Sequence, residues 1–388
     1  MSSTALGPGR RAHASDRSAG FANAAQHLLL GVVPVVVVAV MFIVLTVNRT
    51  VAYDFHWAYY PAASRLLHGG NPYGMPAADI AGGTAFVYPA FSAVVLVPFA
   101  LLGHSQSDEV YRALCLLLIP GTLWTAGVRD WRVYGVTLIW LPVTVGWQIG
   151  NVSVPLTFLV ALVWRYRDRP YVAGLVTAAA VSLKPFVWPL GLWLLATRRI
   201  RATIWTVVWA IALNLLAWWI VGFNEVHTYL RLSGEVTDAL WRGGYSMLAV
   251  AHYLGFGRGV GEALLILVSA AVGLALVYAG YVKRRERDAM VLAVALMLVA
   301  SPLVWSHYFV LLLVPLALTR PRFRAIWAAP IAMWVCPPSA TVVSWQAAVA
   351  WIVTGTCFAV ALRPSRVRGG QRTAAIAPAI SPKLSATS

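Results

Sequence analysis

Asp54 stands just past the end of a long apolar run, in Tyr53-Asp54-Phe55-His56-Trp57-Ala58-Tyr59-Tyr60. A carboxylate at an apolar boundary suits a general base toward a hydroxyl, because partial desolvation raises its pKa. The aromatic residues around it have a second reading, as an interfacial belt. Lys184, in Ser182-Leu183-Lys184-Pro185, is the lone charge in a 27-residue apolar run. A lysine at the centre of a membrane helix costs about 2.5–3.5 kcal/mol. Pro185 kinks the chain there and frees a backbone carbonyl. A kink, a free carbonyl and a cation suit an anionic group such as a phosphate; the competing reading is a lysine that snorkels to an interface. In Ser301-Pro302-Leu303-Val304-Trp305-Ser306-His307-Tyr308, His307 sits at a span boundary. It suits binding a phosphate oxygen or protonating a leaving group, or it is an interface histidine. Tyr88-Pro89, Gly150-Asn151 and Tyr245-Ser246 are weaker signals, each readable as structure alone. An amide such as Asn151 between two short apolar runs must find a partner.

The elements that position these residues follow from composition. The chain has 388 residues, 60% of them hydrophobic and only 11% charged, against about 25% charged in soluble domains. Continuous apolar runs recur from residue 28 to 362. They exclude a soluble enzyme and the alternating pattern of an outer-membrane barrel. The fold class is all-α, a polytopic helical membrane protein. Spans are expected at 28–47, 86–103, 110–127, 133–148, 151–164, 171–197, 201–222, 262–282, 288–304, 306–319, 325–337 and 344–362, about 10–12 in all.

The domain reading is a disordered cytoplasmic segment 1–27, a transmembrane domain 28–362 with outer loops 48–85 and 223–261, and a basic cytoplasmic tail 363–388. A short helix over 59–67 should end at His68-Gly69-Gly70. Asp79 reads as solvated. Net charge is +17. The basic residues fall in short loops at 198–201, 283–287 and 320–324 and in the tail, marking the cytoplasmic side and contact with anionic membrane lipid, not nucleic acid. Simple alternation of twelve spans puts 165–169, with its three arginines, on the wrong side. Either 133–148 or 151–164 is then re-entrant, or 171–197 folds back at Lys184-Pro185. Cys115, Cys336 and Cys357 lie in apolar runs without metal or disulfide spacing. No nucleotide-binding loop, zinc-protease motif or nucleophile elbow is present. No cofactor is expected, and no metal ligand is assigned: a divalent metal is compatible with the sequence but not indicated, since the first outer loop holds no carboxylate pair at ligand spacing.

Asp54-Phe55, Tyr59-Tyr60-x-Ala62-Ala63, Leu66-Leu67-x-Gly69, Asn71-Pro72-Tyr73, Phe86-x-Tyr88-Pro89, Gly150-Asn151, Ala173-Gly174, Lys184-Pro185, Arg198-Arg199 and Ser301-Pro302-x-x-Trp305-x-His307 follow one another in order over about residues 50–310. This series resembles glycosyltransferase family 87, of the GT-C superfamily. Two positions depart from it: Ala90 follows Pro89 where many members have a second proline, and Asn151 stands where many have glutamine.

The resemblance implies a multi-pass protein of the bacterial plasma membrane with its site on the extracytoplasmic side. It implies a polyprenyl-phosphate-mannose donor, a glycolipid or lipoglycan acceptor, and an inverting reaction giving an α-1,2 linkage. Under it Asp54 is the base. Lys184 and His307 hold the donor phosphate, Arg65 assists, and Tyr59, Tyr60 and Trp305 line the sugar site, with Tyr88 and Asn151 nearby. The alternative is a carrier or flippase for a polyprenyl-linked sugar, which needs no base; no internal repeat of the kind common in transporters is evident.

Overall fold

The computed structural model describes residues 23–74, 80, 82–337 and 342–364. Asp79, residues 1–22 and the tail from 365 lie outside them. Every regular element among the described residues is helical, as a chain needs whose backbone polar groups must be satisfied without water.

Helix α1, Asn23–Val47, is the first of four helices long and apolar enough to cross a membrane. It starts five residues before the expected span: residues 23–27, read as disordered, are helical, and His27 stacks on Trp131 at 4.5 Å. A π-helical turn, Phe55–Tyr59, leads into α2, Tyr60–Leu67. Gly69, at φ +76°, and Gly70 then close α2, donating their N–H groups to Leu66 and Arg65. Next come α3, Ala90–Ala100, and α4, His104–Thr125, which meet at a bend of 113°. Then follow α5, Trp131–Leu138, and α6, Leu141–Gln148, the latter bent by 115° from α7, Ser153–Arg165.

Helix α8, Pro170–Leu183, stops where Lys184 takes an extended backbone (φ −154°, ψ 113°). After a single 3-10 turn, Pro185–Val187, the chain continues as α9, Pro189–Ala196. The second half holds α10, Ile200–Val221; α11, Glu225–Leu240; α12, Met247–Tyr253; α13, Arg258–Val282; and α14, Glu286–Val299. A buried 3-10 stretch, Ser306–Leu312, then runs into α15, Leu313–Thr319. A third 3-10 segment, Ala325–Val335, precedes α16, Ser344–Leu362. Among the described residues four helices are long and apolar enough to cross a membrane, or up to six if each bent pair counts as one, fewer than the 10–12 expected, because the remaining apolar helices are shorter.

The run 171–197 is a broken hairpin. Arg199, just after α9, pairs with Asp168, just before α8, at 2.9 Å, and with Glu286 at 3.0 Å. Residues 165–169 therefore share a face with the basic loops at 198–201 and 283–287, and the chain folds back at Lys184-Pro185. Simple alternation fails because neither arm is long enough to cross a core of about 30 Å. Gly174 lets α8 lie directly on α10: a Cβ there would sit 2.5 Å from the Trp205 Cβ and 2.9 Å from the Thr206 nitrogen. Close approach through a small residue is how helices pack where hydrophobic collapse gives no drive.

Candidate active site

The loop carrying Asp54 is pinned to the junction of α6 and α7. The N–H groups of Asp54 and Phe55 both donate to the Ile149 carbonyl, at 2.9 and 3.2 Å. Arg112, a fully buried arginine on α4, donates to the Thr50 and Gln148 carbonyls and ties the same two segments. Gly150 makes the junction geometrically available. It lies at φ +64°, and a Cβ there would press on the Phe55 Cβ at 2.8 Å and the Tyr111 ring at 3.2 Å.

Asn151 is fully buried and is satisfied at both ends of its amide. Its Oδ1 accepts from the Ser153 N–H at 2.8 Å and the Ser153 hydroxyl at 2.6 Å, which caps the first turn of α7. That fixes the other end as the donor, and Nδ2 donates to Asp54 Oδ2. The Tyr59 hydroxyl lies 3.4 Å from the same amide nitrogen and donates to the Tyr88 hydroxyl at 2.7 Å. Asp54 is only partly exposed. Burial pushes its carboxyl up to about 6, with the Asn151 hydrogen bond and the Lys184 charge pulling the other way. Burial also pushes the Tyr59 phenol well above its ordinary range, so it stays a donor.

Lys184 reaches the same pocket from the apex of the α8–α9 hairpin. Its ammonium donates to the Tyr308 hydroxyl and lies over the rings of Tyr308 (4.2 Å), Tyr88 (5.0 Å) and Phe186 (5.4 Å). Such cation–π contacts give about 0.5–2 kcal/mol each and hold the charge without a carboxylate in contact. The helix break around it is partly healed, because the Leu183 carbonyl accepts the Ser92 hydroxyl at 2.6 Å. His307, next to Tyr308, is buried, and both its ring nitrogens lack a hydrogen-bond partner among the described residues. It lies within electrostatic reach of Lys184. A buried imidazole with nothing to bond is costly and is ready for an incoming polar group. An apolar cavity of about 110 Å³ adjoins the pocket, lined by Tyr59, Phe86, Tyr88, Leu96, Phe99 and Tyr111 among others.

Asp54, Tyr59, Tyr88, Asn151 and Lys184 thus converge on one pocket, with His307 one residue from its wall. The other three expected site residues stand apart. Tyr60 turns away, its ring stacked on His104 at 3.9 Å and its hydroxyl on the Leu102 carbonyl at 3.1 Å. Arg65 sits in the last turn of α2, with a buried guanidinium nitrogen that has no hydrogen-bond partner among the described residues. Trp305 packs against Gly244 in the segment between α11 and α12, where Tyr245 donates its N–H to Val304. Sequence reasoning passed over Tyr308 and Arg112. A charge inside the expected span 110–127 was the available signal for Arg112. For Tyr308 the signal was a hydroxyl next to His307.

The pocket can take a proton from a hydroxyl at Asp54 and meet an anion at Lys184. Residues 86–302 match the family model for glycosyltransferase family 87. A polyprenol-phosphate-mannose-dependent alpha-(1-2)-phosphatidylinositol pentamannoside mannosyltransferase of Mycobacterium tuberculosis (strain CDC 1551 / Oshkosh) is 26% identical, covering 81% of this chain and 76% of that one. A polyprenol-phosphate-mannose-dependent alpha-(1-2)-phosphatidylinositol mannoside mannosyltransferase of Mycolicibacterium smegmatis is also 26% identical, over 65% of this chain and 67% of its own. No solved structure matches. A helical multi-pass membrane chain, more than half of it covered by the family model, belongs to glycosyltransferase family 87.

Proposed function

We propose that this chain transfers mannose from polyprenyl-phosphate-mannose to a hydroxyl of a glycolipid or lipoglycan acceptor, on the extracytoplasmic face of the bacterial plasma membrane. The observation that carries the reading is the meeting of Asp54, held by Asn151, with Lys184 in one partly desolvated pocket. The relatives' names supply the donor, and they supply phosphatidylinositol mannosides as the acceptor class.

The acceptor hydroxyl gives its proton to Asp54 as its oxygen attacks the anomeric carbon. The bond from that carbon to the phosphate oxygen breaks, and the electron pair leaves on the phosphate. Lys184 meets the charge that grows there, and a cation already fixed in place costs no reorganisation as it forms. His307 donates the N–H of one ring nitrogen to the same phosphate. Tyr59 and Tyr88 place hydroxyls and ring faces beside the sugar. A single base and a single displacement invert the anomeric centre, so a β-linked donor gives an α product, with an α-1,2 linkage as in the relatives' names. The adjoining apolar cavity would take the first part of the lipid chain.

The test is transfer by purified protein in nanodiscs, with labelled polyprenyl-phosphate-mannose and phosphatidylinositol mannoside acceptors, wild type beside Asp54→Asn. Product from wild type alone is expected. Equal product from both overturns Asp54 as base. Donor bound but never transferred, across mannoside and lipomannan-type acceptors, overturns the transferase reading in favour of a carrier.

A further inference from the structure

Two residues after Asp54 the same turn presents His56 to a different set of neighbours. His56 Nδ1 lies 2.8 Å from Asp108 Oδ2. The His56 and His104 rings are parallel within 8°, with centroids 3.7 Å apart. His104 and Asp108 lie one helical turn apart at the start of α4, on one face of that helix. One ligand-competent atom from each of the three residues falls within 4.8 Å of the others.

Asp108 is an anomaly that this cluster explains. Its carboxylate is 3% exposed. One oxygen, Oδ1, has no hydrogen-bond partner among the described residues. The other has His56 and a long contact of 3.5 Å from the Ala52 N–H. Arg112, one turn further along α4, is within electrostatic reach of it but forms no contact ion pair with it, its guanidinium N–H groups going to the Thr50 and Gln148 carbonyls. A buried carboxylate with an unpaired oxygen is strongly disfavoured unless a cation reaches it. His104 shows a second mark. Its Nε2 lies 3.1 Å from the His56 carbonyl oxygen. A carbonyl only accepts, so Nε2 carries the proton and Nδ1 keeps its lone pair. A histidine that donates its far N–H to a backbone carbonyl is oriented as metal-ligating histidines are.

We propose that His56, His104 and Asp108 bind one divalent transition-metal ion, with Zn²⁺ the best match. Two imidazoles and one carboxylate are borderline donors. They suit zinc, cobalt or nickel better than magnesium or calcium, which take oxygen cages. Three protein ligands leave a fourth position for water. At metal–ligand distances near 2.0–2.2 Å, tetrahedral donors stand about 3.3 Å apart. The ion therefore enters between His56 and Asp108 by displacing the shared proton to solvent and widening that contact by about half an ångström. His104 is sandwiched between Tyr60 (3.9 Å) and His56, so His56 is the ring that tips to aim its lone pair. The bound ion cross-links the first outer loop to α4 and so fixes the turn that carries Asp54. The site does not depend on the identity of donor or acceptor.

The experiment uses full-length protein without a polyhistidine tag, stripped with EDTA in detergent and titrated with Co²⁺ and Zn²⁺. Expected are one Co²⁺ per chain with visible d–d absorption, and a rise of a few degrees in Tm with Zn²⁺ that Mg²⁺ does not reproduce. His104→Ala and Asp108→Asn should lose both signals. His68→Ala, at an exposed histidine outside the cluster, should keep them. Absence of stoichiometric Co²⁺ uptake by wild type overturns the proposal even if the cluster variants fail to fold. Uptake undiminished in His104→Ala overturns it as well.

Discussion

The two ends of α8 gather charge in opposite ways. At its start, Asp168 and Arg167 join Arg199 and Glu286 in a network in which each cation has a carboxylate within 4.0 Å. At its end, about 20 Å away, Lys184 has three aromatic rings and one hydroxyl, and Asp54 has an amide. The first set is matched within the protein and partly washed by solvent, Asp168 being 73% exposed. The second set is desolvated and matched by neutral groups, with the His307 nitrogens left unpaired. Closed pairing of this kind holds a fold together. Charges held apart and bonded to neutral partners stay available to a ligand. The location of functional chemistry in this chain is therefore read better from how a charge is satisfied than from how many charges are near.

The sharpest way to break the contrast is Asp54→Asn. It should lower transfer by about 10²–10⁴-fold and leave the Tm equal or higher, since it removes a buried charge; a large fall in Tm would make Asp54 structural. Next is Lys184→Met, expected to lower kcat/KM for the donor by about 10–100-fold without lowering the Tm. An unchanged donor KM and kcat would remove Lys184 from the phosphate site. Gly150→Ala should cost about tenfold in turnover, because an alanine at positive φ is strained by about 1–2 kcal/mol and its methyl pushes on Phe55, beside Asp54. Wild-type kinetics in that variant would mean the loop is positioned by other bonds. The smallest effect belongs to the other end of α8. Arg199→Ala should lower the Tm by only a few degrees, about 1 kcal/mol for a partly exposed network, with turnover per folded molecule unchanged. Lost turnover there would erase the distinction between the two ends.

In the second half the expected spans 201–222, 262–282 and 344–362 were legible to within a few residues, because those runs are uninterrupted and carry basic residues at their ends, whereas 288–304, 306–319 and 325–337 are helices too short to cross a membrane alone. The region 133–197 was not, since length alone cannot tell a short span from a bent or re-entrant pair; the ion pairs of Arg199 settle the side. In the pocket, the reading named Asp54, Lys184, Tyr59, Tyr88 and Asn151 because each is costly or conspicuous in an apolar setting. Tyr60 stands one residue from Tyr59 and points elsewhere, since a helical turn rotates adjacent side chains by about 100°. The metal expectation considered carboxylates within one loop. His56 and His104 are 48 residues apart, and only folding brings them face to face.

The short arms of the α8–α9 hairpin bear on how the protein is made. Fourteen residues followed by a lysine do not partition into a bilayer unaided, and the returning arm is shorter still. The hairpin needs packing partners to stay in the membrane: α7, made before it, and α10, made after it, which meets Gly174 through Trp205 and Thr206. Its packing is therefore complete only once downstream sequence is made. A bulky residue at Gly174 would show itself in biogenesis, as chains degraded before they are complete in the membrane, and not as a finished enzyme with altered kinetics.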